Sequence, residues 1–195
     1  MRRSVVSVVT PPADLLPLAT VKGNLRVAWA DEDATIQGYI DAAVAILDGP
    51  IGRLGRAVML QSWKHVCIGP IYGCVMLTAE PVEITSILYL DTDEVEQTAD
   101  VADFRVESDG YSWAIVPRTG KAWPEIASWR YDAMRIVYTT GFPSADAVPA
   151  PIKQAVQLLV GHWYKERETA TAATLKEMPF AVEALIGDYK IGFVA

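Results

Sequence analysis

The last quarter of the chain constrains the fold more than any other segment, because it combines a helix start with helical apolar spacing. Pro151 suits the first turn of a helix, where its missing N–H would have no intrahelical partner anyway. The apolar residues that follow recur on one helical face: Ile152, Ala155, Val156, Leu159 and Trp163. A Thr/Ala-rich linker then leads to a second apolar segment over residues 178–190. The pattern predicts an amphipathic helix, a short loop and a second helix.

The first quarter of the chain carries two further helical patterns. Residues 18–27 predict a short helix with its apolar residues on one side. Asp31 is suited to cap the next helix, which ends at Gly49-Pro50. The buried stripe of that helix is expected to consist of Ile36, Ile40, Ala43 and Leu47.

The middle of the chain changes to short runs of β-branched and aromatic residues separated by turn residues. Strands are predicted at 63–68, 75–77, 82–90, 104–106, 113–116 and 134–139. Asp109-Gly110 is a strong hairpin signal, and residues 91–94 form a second, acidic hairpin tip. Helices followed by antiparallel strands and then by helices predict an α+β fold.

This order also predicts the domain organisation. We divide the chain into an N-terminal helical part (1–57), an antiparallel β module (58–143), and C-terminal helices with a tail (144–195). The two helical ends are expected to pack together as one helical bundle, into which the β module is inserted.

The composition argues against several classes of protein. The net charge of −7 disfavours a broad nucleic-acid-binding face, which needs clustered Lys and Arg to replace counterions on phosphates. Two cysteines are too few for a disulfide framework and fit folding in the cytoplasm. No apolar run approaches the roughly 20 residues of a membrane helix, so no membrane partner is expected.

Two groups of residues invite a metal-site interpretation. His65, Cys67 and Cys74 flank a turn, but their spacing differs from that of structural zinc sites, so buried packing is the favoured interpretation. The acidic residues at the hairpin tip lack the frame of a calcium loop, and a solvated turn or a charged docking contact is favoured over a divalent site.

His162 lies inside a helical pattern without a neighbouring Ser or Cys nucleophile, so a packed or inter-subunit histidine is favoured over a general base. We therefore expect no catalytic residue, no metal and no cofactor. A small divalent-metal-dependent enzyme that uses the acidic tip remains an alternative function. A binding module that uses the tryptophan-rich β face is another.

Several blocks of the sequence resemble the tailed-phage head-to-tail connector family, the adaptor or head-completion proteins. The most specific blocks are C-terminal, at residues 148–168 and 178–190. Others are Glu80-Pro81-Val82, Trp123-Pro124 and residues 137–142. The resemblance implies a virion structural protein of the neck, made in the host cytoplasm and usually arranged as a twelve-fold ring. Such a ring joins the portal to a stopper or tail protein and has no chemistry of its own.

The resemblance and the residue types together indicate contact residues. In the helical ends, aromatic and arginine side chains are the predicted partner contacts: Tyr164, Arg167, Phe180 and Tyr189. The apolar tail is expected to dock on the portal through Ile191, Phe193 and Val194. Asp91, Asp93 and Glu94 are the predicted charged contact. DNA is expected to pass through an acidic lumen without specific binding.

Overall fold

The computed structural model describes residues 4–10, 14–67, 71–110, 112–166 and 180–191. These residues form an α+β protein of helices and antiparallel strands, and the predicted fold class is confirmed at this level. They divide into two compact units. A β unit contains the N-terminal strand and residues 60–141, and a helical unit contains residues 14–59 and 142–191.

The β unit contains two antiparallel sheets. The larger sheet has the strand order β1-β2-β8-β4-β5, with β1 at Ser4–Thr10, β2 at Gln61–Cys67, β8 at Met134–Thr140, β4 at Pro81–Leu90 and β5 at Glu96–Ala99. The smaller sheet has the order β3-β7-β6, with β3 at Val75–Leu77, β7 at Trp113–Pro117 and β6 at Phe104–Ser108. Strands that follow each other in the chain pair as hairpins in β4–β5 and β6–β7, as the turn residues predict.

Alternation along the central strands decides which side chains are buried. β8 alternates buried and half-buried residues along its whole length, so Met134, Ile136 and Tyr138 face the core. Trp63 pairs with Tyr138 across the sheet, and the two rings meet edge to face with centroids 6.3 Å apart. The indole N–H of Trp63 donates to Gln61 Oε1 at 3.0 Å, so the buried ring keeps a hydrogen-bond partner.

The strand β1 was not predicted from the sequence. It pairs with β2 from Ser4 opposite Cys67 to Thr10 opposite Ser62, with an irregularity between Val8 and Thr10. Its Val/Ser alternation is a β pattern, but it begins within a few residues of Met1 and lies about fifty residues from its partner. Only the pairing with β2 gives this segment a sheet to join.

The described residues of the helical unit form four α-helices: α1 at Leu18–Leu25, α2 at Asp33–Leu47, α3 at Ala150–Lys165 and α4 at Phe180–Ile186. The predicted stripe of α2 is buried at all four positions, and Ile152, Ala155, Val156 and Leu159 of α3 are buried with it. These residues share one hydrophobic core with α4 through Val182 and Ile186. None of the described helices combines the length and apolar character that a membrane crossing requires.

The helix boundaries differ slightly from the prediction. α1 ends at Leu25 rather than at Val27, because Arg26 adopts a left-handed conformation with φ of 59°. Asp31 does not cap α2, and that prediction is wrong: Glu32 occupies the cap position, and no side chain there accepts a capping bond. The acidic residue in the first turn is Asp33, whose carboxylate binds Lys22 of α1.

Candidate functional site

Tyr164 lies in the last turns of α3, where it is half-buried and packs against the helical core. Its hydroxyl donates a hydrogen bond to the carboxylate of Glu32, just before α2. The preceding residue, Trp163, packs against Tyr39 of α2 with ring centroids 6.2 Å apart. Both aromatic residues therefore join α3 to α2 within the unit, and a contact between Tyr164 and a partner stays a prediction.

The end of the helical unit is attached through main-chain contacts. Tyr189 is half-buried against the core, and the N–H of Ile191 donates to the carbonyl of Leu54 at 2.8 Å. Gly55 has φ of +64°, and a Cβ at this position would lie only 2.7 Å from the carbonyl oxygen of Ile191. Ile191, which was predicted to belong to the docking tail, is thus anchored by its backbone to the helical unit.

Phe180 differs from the other predicted contact residues of the helical ends, because it is 88% exposed at the start of α4. A phenylalanine ring in water is available for burial against another surface. The other three predicted contacts, Arg167, Phe193 and Val194, lie outside the described residues.

Asp91 organises the turn between β4 and β5. Its Oδ1 accepts hydrogen bonds from the backbone N–H groups of Asp93 and Val95, both at 3.0 Å, and its Oδ2 accepts from the Gln97 side chain at 2.9 Å. The bond from Gln97, followed by that from Val95, lowers the pKa of the exposed Asp91 carboxyl. Asp91 therefore holds the hairpin turn itself, while the Asp93 side chain points into solvent.

Glu94 occupies an unusual position in the same turn. Its φ of 61° is left-handed, the conformation in which hairpin turns normally place glycine. Its carboxylate accepts a hydrogen bond from the indole N–H of Trp129 at 3.0 Å and an ion-pair contact from Arg130 at 3.4 Å. The Glu94 side chain thereby attaches the loop before β8 to the β4–β5 hairpin, in addition to the backbone bonds that Leu90 makes with this loop.

Sequence reasoning did not find the aromatic residues of this loop. Trp129 is 65% exposed and Tyr131 is 60% exposed, and Val95 of the hairpin is more than half exposed beside Glu94. We call Val95, Trp129 and Tyr131 the tip surface. The available signal was three bulky residues in succession, Trp129-Arg130-Tyr131, between two predicted elements. Their exposure depends on how the loop meets the hairpin, which spacing alone does not predict.

The residues considered for zinc, for which buried packing was the favoured interpretation, do not come together as a cluster. His65 and Cys67 are buried on the same face of β2, whereas Cys74 is exposed before β3. Within the described ranges, no group of three or more His, Cys, Asp or Glu residues could hold a metal ion. Burial lowers the pKa of His65 to about 4, so this histidine is neutral at physiological pH.

His162 lies on α3 with its Nε2 3.3 Å from the Glu166 carboxylate one turn later. Both side chains are partly exposed. The contact joins residues i and i+4 of the same helix. Such a pair is typical of a helix surface and contributes a few tenths of a kcal/mol.

The exposed aromatic and acidic side chains therefore indicate a class of protein, one that makes contacts with other proteins. The model of the family described as "Head completion protein" matches residues 14–191, and the chain belongs to this family. This membership confirms the predicted resemblance and the prediction of a virion structural protein rather than an enzyme. No protein with a curated description matches the sequence.

Three solved structures are similar to the chain over almost its full length, and each comparison covers 98% of this chain and 97% of the other. The neck of an empty GTA particle, computed with C6 symmetry, matches with a TM-score of 0.75 at 25% identity. The neck of a native GTA particle, computed with C12 symmetry, matches with 0.71 at 25% identity. The virion of a native gene transfer agent (GTA) particle matches with 0.76 at 24% identity, and this last likeness concerns the fold alone.

Proposed function

We propose that the chain is a subunit of a ring in the neck of a tailed phage or a phage-like particle. The observation that carries this proposal is the match to a neck protein over 98% of the chain at a TM-score of 0.75. Because 97% of that protein is matched in turn, the likeness extends to the whole subunit and not to one shared module. Membership of the head completion family supports the same location.

The proposed ring has twelve subunits. The related necks were computed with C6 and C12 symmetry, and a twelve-fold ring satisfies both. A ring closes when one surface of each subunit binds a different surface of the next and every contact turns by the same angle. Subunits of this kind can be monomeric in isolation, because the neighbouring proteins of the particle complete the contacts.

We assign the helical unit to the body of the ring, with the helical ends packed as a bundle and the β unit as an insert. The single core that α2, α3 and α4 share supports this arrangement. Phe180 is the strongest contact candidate in this unit, since it is 88% exposed. Tyr164, Arg167 and Tyr189 remain proposed partner contacts. The tail residues Ile191, Phe193 and Val194 remain the proposed portal-docking group.

The ring is proposed to join the portal to a stopper or tail protein and to let DNA pass without specific binding. A charge of −7 on each subunit gives a closed ring a strongly negative potential. Phosphates are repelled by such a surface, so the DNA slides rather than binds. We therefore propose a lumen lined mainly by Asp and Glu. A ring of Arg or Lys side chains pointing at the axis, or salt-sensitive DNA binding by the purified chain, would contradict this.

Deleting the gene in a particle-producing strain tests the proposal. We expect DNA-filled heads and free tails in place of joined particles, seen by electron microscopy. In the parent strain, mass spectrometry of purified particles should find about twelve copies of the chain. A density map of the neck should place them in one ring. Absence of the chain from purified particles, or normal joining after its deletion, would refute the proposed function.

A further inference from the structure

The tip surface combines features that a solvated loop does not need. A glutamate at a left-handed position of a turn is less stable than in the conformations that L-residues prefer, and glycine would avoid this cost. The chain keeps Glu94 there, and its carboxylate fixes the Trp129 indole at 3.0 Å. The ring that is fixed in this way remains 65% exposed. Backbone strain that holds an exposed aromatic side chain in place points to a role for that side chain.

Ion pairs and backbone hydrogen bonds connect the tip surface to the neighbouring strands. Arg130 contacts both Glu94 and Asp132, and Arg135 of β8 pairs with Glu96 of β5. The loop is also tied to β4 by backbone bonds, from Leu90 to Ala133 at 2.9 Å and from Ala127 to Leu90 at 3.0 Å. A surface that is already ordered loses little conformational entropy when it binds.

The composition of the tip surface matches the residues that dominate binding energies between proteins. Tryptophan, tyrosine and arginine are the residue types most enriched at interface hot spots, and all three stand in sequence at 129–131. Val95 adds an apolar residue next to Glu94. The alternative, a nucleic-acid stacking platform, would use Arg130 to contact phosphates. Arg130 instead contacts the carboxylates of Glu94 and Asp132, which disfavours that use.

The charges around the tip surface indicate the chemistry of the surface that it binds. The two segments that carry the tip surface, residues 91–96 and 129–135, contain five carboxylates against the guanidinium groups of Arg130 and Arg135: Asp91, Asp93, Glu94, Glu96 and Asp132. This excess of negative charge repels DNA. It also disfavours a second copy of the chain, whose own net charge is −7.

We infer that the tip surface docks onto a different protein of the particle, at an apolar cleft bordered by Lys or Arg. This inference rests on the proposed function and adds to it the surface and the chemistry of one partner. Trp129 and Tyr131 enter the cleft, the surrounding carboxylates meet the basic border, and Glu94 is a positioning residue that holds Trp129 ready.

Complementation of the deletion strain with tip variants tests the inference. The double variant Trp129→Ala/Tyr131→Ala should reduce joined particles by about tenfold or more, because it removes two hot-spot residues. Met76→Ala and Val82→Ala remove exposed apolar side chains elsewhere in the β unit and should join normally. Thermal melting of each purified variant should match the parent, since the changed side chains are largely exposed.

Two further variants separate docking from folding. Glu94→Gly relieves the left-handed position and removes the anchor of Trp129, so it should melt at or above the parent temperature and still join poorly. Asp93→Lys should impair joining through charge, whereas Asp146→Lys, the same change on an exposed residue of the helical unit, should not. Normal joining by the double variant and by Glu94→Gly would overturn the inference.

A photo-cross-linker identifies the partner. Tyr131→p-benzoylphenylalanine, introduced into the full chain in assembling particles, should cross-link to another particle protein beside Lys or Arg residues. Cross-links to a second copy of the chain or to DNA would overturn the inference, as would joined particles without any protein cross-link. If deletion of the gene abolishes joining while the tip variants join normally, only this inference fails. If deletion has no effect, the proposed function fails.

Discussion

The helical unit and the β unit each contain a short aromatic segment, residues 163–164 and residues 129–131, and the two segments are used in opposite ways. In the helical unit, Trp163 packs against Tyr39 of α2 and the Tyr164 hydroxyl donates to Glu32, so these aromatic side chains hold the unit together. In the β unit, Trp129 is held by Glu94 with its ring largely in solvent. The comparison teaches that residue type alone does not distinguish a contact residue from a packing residue. The hydrogen-bond partner and the exposure of the ring do.

The largest expected effect is a loss of stability that differs between two tryptophan variants, one in each unit. Trp63→Ala removes a fully buried ring from the β unit and should lower the free energy of unfolding by about 3–5 kcal/mol. Trp163→Ala removes a half-buried ring from the helical unit and should cost about 1–3 kcal/mol. Denaturant unfolding of both purified variants measures the difference. An equal or larger loss for Trp163→Ala would show that the helical unit depends on this residue for its core.

Replacing two glycines of the helical unit by alanine should change its stability in opposite directions. A Cβ at Gly52 would lie 2.1 Å from the carbonyl oxygen of Asp48, so Gly52→Ala should destabilise by about 2–3 kcal/mol. A Cβ at Gly38, inside α2, would meet nothing within 4 Å, and Gly38→Ala should stabilise by about 0.5–1 kcal/mol. Thermal melting of both variants tests the pair. Tolerance of Gly52→Ala would mean that the loop after α2 can shift.

His65 should make the β unit sensitive to acid. Its pKa is lowered to about 4 from an ordinary value of 6.5, so the fold favours the neutral ring. The stability that the neutral His65 ring contributes is fully present above pH 6.5 and is lost as the pH falls from 6.5 towards 4. At pH 5 the free energy of unfolding should be lower by about 2 kcal/mol. The cross-strand neighbours, Val6 and Ile136, are apolar and offer the charged ring no counter-ion.

The measurement for His65 compares unfolding free energies at pH 7.5 and pH 5 for the parent and for His65→Leu. In the variant, the free energy of unfolding should change less between the two pH values, because the contribution of His65 is removed. The part of the change that is due to carboxylates should remain. An unchanged difference between the two pH values in His65→Leu would contradict the assignment to His65.

The smallest expected effect concerns the end of the helical unit. Deleting residues 192–195 should leave melting unchanged and weaken attachment to the portal, because Ile191 still donates to Leu54. Deleting residues 191–195 also removes that backbone bond and should cost about 1 kcal/mol. Melting curves and counts of joined particles distinguish the two effects. Normal joining after the shorter deletion would rule out a docking role for Phe193 and Val194.

Helical periodicity predicted the helical unit well, because a buried stripe at i, i+3, i+4 and i+7 is visible in any window of the sequence. All four predicted stripe residues of α2 are buried, and so are four of the five in α3, with Trp163 half-buried. The hairpins at residues 91–94 and 109–110 were predicted for a similar reason, since their turn residues are adjacent in the chain.

The sequence by itself therefore determined the helices, the hairpins, the α+β class and the resemblance to head completion proteins. All of these depend on local spacing or on contiguous blocks. Only the tertiary structure decided that β1 pairs with β2, since the two strands are about fifty residues apart. It likewise decided that Glu94 reaches Trp129 and leaves that ring exposed. Contacts between distant segments depend on the packing of whole elements, and no local pattern encodes them.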